Sequence, residues 1–263
     1  MAIGTGTLNC LRFVGAAVGF CLCALNAIGA GAETIRYCHN NWPPYAYNTD
    51  EGPAGISVEI LKQASNRAGY TAEFNELPWE RCLKSVADGE MDAVVDAAKR
   101  DGYLQGDVGF SVYTNTFWVR EEFNPGSSIL SALNGRRLGL VRGYVYGNRL
   151  EEQISESGAI VDLAKDDEQN IRKLSYGRTD AIIGDYVGTR IIAAQQGFKP
   201  VPVLPHHSFD LLYPSFNLGQ GVMQGRINDA LGSMMSDGSI DRVYRDSLGV
   251  ELSDILPDAS PGM

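Results

Sequence analysis

Residues 35–47 read IRYCHNNWPPYAY, a short apolar strand that runs directly into a loop of two asparagines, a tryptophan, two prolines and a tyrosine. Proline fixes φ at about −65°, so the paired prolines stiffen the loop and are expected to hold Trp42 and Tyr45 out of the core. Open α/β sheets receive ligands at the carboxyl ends of their strands, which is where this loop stands. The same residues also suit a stiff turn with buried rings, because aromatics line cores as well as pockets.

Working outward, residues 55–69 have helical periodicity, with Ile56, Ile60, Leu61 and Ala64 on one face, Ser57 as the expected cap and Gly69 as the stop. Residues 71–77 alternate as a strand, Pro78 opens a helix running to Gly89, and residues 92–97 form a short apolar strand. This β-α-β-α-β order is the unit of a parallel, helix-covered sheet. Residues 98–112 are polar and irregular, and residues 114–120 (TNTFWVR) read as a strand linking two lobes. The pattern then starts over: strand 137–141, helix 145–156, strand 159–161, helix 167–176, strand 181–184 and helix 186–196. GEMDAVV at 89–95 and GRTDAII at 177–183 share a G-x-x-D-A-[VI]-[VI] pattern, either an internal echo or the same turn chemistry reached twice. Residues 201–205 lead through His206 and His207 into 209–213, then a helix carries Met223, Ile227, Leu231 and Met234 on one face. A last helix with Ile240, Val243, Tyr244 and Leu248 is expected to be capped by Ser239, and the tail from Ser253 is expected to be mobile.

Composition narrows the function classes. The 263 residues are 44% hydrophobic and 21% charged, which suits a globular protein and excludes a disordered one. In residues 1–32 the single charge Arg12 precedes an apolar run and an Ala-Gly-Ala end, the pattern of a secretory signal peptide. Losing it would move the formal charge from −10 to −11. So acidic a chain without a basic cluster argues against nucleic acid and anionic membrane surfaces as partners. Of five cysteines, Cys38 and Cys82 remain outside that segment. In an exported protein they suggest one disulfide, the alternative being two buried thiols.

The ordered motifs, W-P-P-Y, then GISVEIL (55–61), LPWERCL (77–83), the G-x-x-D-A strand, NGRRLGLVRGY (134–144) and Asp237-Gly238-Ser239-Ile240, resemble the amino-acid-binding family 3 of ABC-importer solute-binding proteins. The resemblance implies an α/β fold of two Rossmann-like lobes with a hinge, the periplasmic binding protein type II fold, closing over a small ligand. It implies lobe 1 from 33–117 plus 208–263, lobe 2 from 121–205, and a hinge near 114–120 and 205–213. The implied function is periplasmic capture of a small amino-acid-like solute or amine for the importer's membrane subunits, by a monomer with no cofactor or metal. Adjacent His206 and His207 cannot easily chelate one ion alone.

The family's binding positions carry over unevenly. Trp42 falls on a ligand-stacking aromatic, Trp79 on an apolar lining position, and Tyr45 and Tyr144 join them at the cleft. Asp185 falls on the acid that pairs with a ligand ammonium, although an aspartate before a helix also suits an N-cap. The family's carboxylate-gripping arginine is replaced by Leu104, and Asp96 stands where a small hydroxyl residue is usual. Arg100, Arg142 or Arg81 could supply the missing guanidinium, or neutralise Asp96 instead. The ligand is then a polar or basic amino acid, or an amine without a carboxylate. The fold also hosts a periplasmic dehydratase of cyclohexadienyl acids, for which Asp96 is a conceivable general acid, and sensory subunits that act on a chemoreceptor or kinase.

Overall fold

The computed structural model describes residues 1–2 and 32–255, so the expected signal peptide and the tail beyond residue 255 lie outside the described residues. Residues 32–255 form one compact unit. Its first half contains β1 (Thr34–His39), the hairpin β2 (Tyr47–Thr49) and β3 (Gly52–Ala54), α1 (Ile56–Arg67), β4 (Thr71–Glu76), α2 (Trp79–Ala87), β5 (Ala93–Ala97) and β6 (Leu104–Gln105). After β7 (Ser111–Val119) come α3 (Ile129–Ala132), β8 (Arg137–Val141), α4 (Asn148–Glu156), β9 (Ile160–Ala164), α5 (Asp167–Ser175), β10 (Ala181–Gly184) and α6 (Tyr186–Gln195). The chain returns through β11 (Val201–Phe216) to α7 (Gly221–Ser236), α8 (Ser239–Leu248) and α9 (Leu252–Ile255).

The strand order is β4-β1-β5-β11-β7-β10-β8-β9, with β6 beside β11. β1 pairs in parallel with β4 and β5, and β8 with β9 and β10, so each half has its own parallel set. The long strands join the halves. β11 is antiparallel to β5 through residues 213–216 and to β7 through residues 201–212, with a bulge between Val203 and Ser208. All nine residues of β7 are buried, Thr114, Asn115 and Thr116 among them.

The G-x-x-D-A echo has one structural meaning in both halves. Asp92 N–H donates to the Arg36 carbonyl at 2.9 Å while Arg36 N–H donates back to the Asp92 carboxylate at 2.8 Å. Asp180 and Arg137 repeat both bonds at 2.8 Å. Each aspartate thus fastens the turn before its strand to the first strand of its own parallel set, and saturates backbone groups that would otherwise lack partners.

Four local expectations are corrected. β7 begins at Ser111, three residues before the expected strand, because pairing with β11 extends it. Ser57 is not the α1 cap: the helix starts at Ile56 after Gly55, and loop carbonyls receive its first N–H groups. Gly238, not Ser239, precedes α8 in the left-handed conformation. Residues 253–255, expected within a mobile tail, belong to the short helix Leu252–Ile255.

Candidate functional site

The aromatic loop is built by its backbone. Trp42 and Ala46 form an isolated bridge, with Trp42 N–H on the Ala46 carbonyl at 2.7 Å. The Pro44 and Tyr45 carbonyls then accept from Ile56 and Ser57 N–H at 3.0 and 2.9 Å, so the loop itself caps α1. Gly55 is required between them: its φ is +119°, and a Cβ there would lie 2.3 Å from the Tyr45 carbonyl oxygen. Folded against α1 in this way, the rings are not held out as expected. Tyr45 is 1% exposed and stacks behind Trp42 with centroids 4.1 Å apart, leaving Trp42 as the ring that faces a cavity.

Cys38 at the end of β1 and Cys82 in the first turn of α2 form a disulfide with a Cα separation of 5.6 Å. The bridge packs with Trp79, Val86, Val94 and Ala97. It therefore ties the strand that launches the Trp42 loop to the helix that presents Trp79.

The cavity has a volume of about 40 Å³ and is walled by Trp42, Trp79, Tyr113 and Tyr144 together with Asn40, Asp96, Arg100 and neighbouring apolar groups. Trp79 and Tyr113 each meet Tyr144 edge-on, at centroid distances of 5.4 and 5.8 Å. Among the described residues nine buried side-chain polar atoms lack a hydrogen-bond partner, and four belong to this wall: Trp42 Nε1, Asp96 Oδ2, Arg100 Nε and Tyr113 Oη. Unsatisfied buried polar atoms are rare because each is costly, so four of them on the residues of one wall make this cavity the candidate binding site, although Trp42 Nε1 itself lies against Gly188 of α6.

Asp96, at the carboxyl end of β5, accepts from Ser111 Oγ at 2.6 Å. Burial pushes its carboxyl up to about 6, against the pull of the Ser111 and Ser57 hydroxyls. Arg100 lies with its guanidinium 5.3 Å from the Trp79 ring centroid and donates to the Gly143 carbonyl at 3.2 Å. Burial lowers its pKa from the ordinary arginine value.

The remaining sequence candidates go elsewhere. Arg142 pairs loosely with Glu80 at 3.7 Å, both half-exposed, and Arg81 is exposed. Leu104 sits in β6 opposite Phe216, outside the cavity wall. Asp185 is buried beyond the wall, with both oxygens engaged. Oδ1 accepts from Thr114 N–H at 3.1 Å and its hydroxyl at 2.9 Å; Oδ2 accepts from Val187 and Gly188 N–H at 3.1 and 2.8 Å. Asp185 is thus the N-cap of α6 and its link to β7. His206 and His207 hydrogen-bond separately, to Thr116 and Gln153, each at 2.8 Å.

Several contacts that close the cavity were not singled out from sequence. Asn40 donates to Tyr144 Oη at 3.0 Å, and Tyr144 donates to Asp167 at 2.7 Å. Asn41 donates to Glu168 at 2.7 Å, and Trp79 Nε1 donates to the Gly143 carbonyl at 3.0 Å. Asp167, buried, and Glu168, half-buried, therefore belong to the surface where the two halves meet. Burial pushes the Asp167 carboxyl up to about 7, the Tyr144 bond opposing it and Asp185 and Asp166 adding to it. At Gly188 a Cβ would come within 2.9 Å of Trp42 Nε1, so glycine lets α6 approach the aromatic loop.

Comparison with known proteins agrees with this architecture. A histidine kinase sensor domain with similarity to periplasmic binding proteins superposes with a TM-score of 0.74 at 20% identity, covering 84% of this chain and 98% of that one. The fold is thus that of type II periplasmic binding proteins, two α/β halves joined by paired long strands. Two similar chains come from Bacillus subtilis (strain 168). The probable ABC transporter extracellular-binding protein YckB is 28% identical over 152 residues, covering 55% of this chain, which spans only about half (52%) of the relative's length. The arginine-binding extracellular protein ArtP is 22% identical over 180 residues, 66% of this chain and 71% of the relative. The model of the bacterial extracellular solute-binding proteins, family 3, matches residues 35–250, and the chain belongs to that family.

Proposed function

We propose that the protein is the periplasmic binding subunit of an ABC importer, exported by the segment 1–32. It captures a small amino-acid-like or amine solute and releases it unchanged. Residues 33–117 plus 208–263 act as one lobe and 121–205 as the other, turning about 114–120 and 205–213. The observation that carries this reading is the cavity wall: aromatic rings and unpartnered polar atoms of the first half meet Tyr144 of the second. The cavity, of about 40 Å³, lies where the two halves meet, so parting of the halves is the route by which this reading admits an amino acid. The bonds from Asn40 to Tyr144 and from Asn41 to Glu168 are the contacts that opening breaks and closure restores.

The test is a thermal-shift screen of the exported protein against amino acids, polyamines, quaternary amines and small organic acids. A ligand at a hundred times its Kd stabilises the folded state by about 2.7 kcal/mol, a shift of several degrees. Failure of every compound to raise the melting temperature would refute the reading.

A further inference from the structure

The two charges in the cavity wall are not partners of each other. The Asp96 carboxyl has only the neutral Ser111 and Ser57 hydroxyls beside it, and Arg100, four residues on, keeps Nε buried without an acceptor. Among the described residues no cationic nitrogen lies within 4.0 Å of the Asp96 carboxylate, and no carboxylate oxygen within 4.0 Å of the Arg100 guanidinium. Had these residues been retained only to neutralise each other, they would form an ion pair. Instead the Arg100 guanidinium turns toward Trp79 and the Gly143 carbonyl, and Asp96 toward Ser111. Asp96 is buried without a counter-charge, which is costly, and the half-buried Arg100 has none either, so each is open to a partner of opposite sign from outside the chain.

The other charged candidates do not compete for that role. Arg142 is held by Glu80 at the rim, and Asp185 is committed to Thr114 and the first turn of α6. The wall therefore carries one acid and one base, with Trp42, Trp79, Tyr113 and Tyr144 around them. A ligand bearing only a cation would satisfy Asp96 and be repelled by Arg100. A ligand bearing only an anion would do the reverse. Guanidinium offers a carboxylate two parallel donors, and a carboxylate oxygen is a strong acceptor for an ammonium.

We propose that the ligand is a net-neutral zwitterion clamped end to end by the β5 side of the cavity, with Asp96 taking its ammonium and Arg100 its carboxylate. The aromatic rings enclose its carbon skeleton, and the second half closes over it through Tyr144. Asp185 serves the α6 cap and contacts no ligand charge. This inference rests on reading the protein as a solute binder, and it moves both charge contacts away from the positions that family resemblance suggested, Asp185 and the site of Leu104.

Isothermal titration of the exported protein tests it with three forms of each neutral amino acid: the amino acid, its amide and the corresponding deaminated acid. The expected result is one or more amino acids binding at least a hundredfold more tightly than both single-charge analogues. Asp96→Asn should remove most of the preference over the deaminated acid, and Arg100→Gln most of the preference over the amide, with far-ultraviolet circular dichroism melts confirming that each variant folds. The wild-type comparison stands even if a variant does not fold. An amide or deaminated acid binding within threefold of its parent overturns the clamp, as does either folded variant weakening all three forms equally. Binding of carboxylate-free amines alone overturns the clamp and leaves the solute-binding reading intact. No binding by any compound, in this experiment and in the thermal-shift screen, overturns both.

Discussion

Asp96 is where sequence, burial and chemistry meet at the scale of one residue. The strand before it reads AVVD, so the chain drives a carboxyl to the end of a buried strand where only Ser111 donates to it within normal hydrogen-bond geometry. Its carboxyl is held near 6 rather than 3.8, and a displacement of that size is worth about 3 kcal/mol. The sign follows from proton counting. Between about pH 4 and pH 6 the folded state holds a proton that the unfolded state has released, so this group's contribution to stability falls as pH rises. His39, His206 and His207 act in the opposite sense, because burial lowers their pKa values, so their contribution to stability rises with pH up to their usual 6.5 and is complete above it. The difference between wild type and Asp96→Asn isolates the aspartate. In the absence of ligand, wild type is expected to lose up to about 3 kcal/mol relative to the variant between pH 4 and pH 7, measured by urea unfolding. A difference independent of pH would show that Asp96 titrates normally. For an ammonium ligand the dependence reverses, since affinity should weaken below about pH 6 as the acceptor is protonated.

The segment from β1 to α2 shows what an element can reveal in sequence and what it conceals. The apolar strand, the proline-stiffened loop and the helix opened by Pro78 follow from residue type and spacing, and the two cysteines outside 1–32 suggested their own bridge. The burial of Tyr45 and the capping of α1 by loop carbonyls were not legible. They depend on backbone acceptors that carry no residue signature, and only Gly55, with its positive φ, marks the place. Asp167 and Glu168 were concealed for a related reason. Acids in a helix's first turn are ordinarily explained by its dipole, and nothing local to them announces Tyr144 or Asn41 as partners. The bridge has a measurable consequence at this scale. Cys38 and Cys82 are 44 residues apart, and closing a loop of that size in the unfolded chain stabilises the fold by about 4 kcal/mol in the chain-entropy account. A Cys38→Ser, Cys82→Ser variant should unfold at lower urea by that order and bind ligand more weakly, because Trp79 loses its tie to the Trp42 loop. Unchanged urea midpoint and affinity would show that the bridge neither stabilises the fold nor organises the wall.

For the whole molecule, the halves were legible because each repeats one grammar: a parallel set of strands, covering helices, and an aspartate that clasps the first strand through paired backbone bonds, Asp92 to Arg36 and Asp180 to Arg137. How the halves meet was less legible, since the meeting surface uses Asn40, Asn41, Gly143 and Gly188, residues ordinary in any loop or helix start. Those contacts close a cavity of about 40 Å³ around an aromatic wall with an unpaired acid and an unpaired base, a geometry suited to enclosing a small solute once the halves have opened. The most direct measurement is native mass spectrometry of the exported protein incubated with the amino-acid and amine panel. The account predicts a one-to-one adduct that yields the unaltered ligand mass when the protein is unfolded. A product of different mass, or no adduct with any compound, would contradict it.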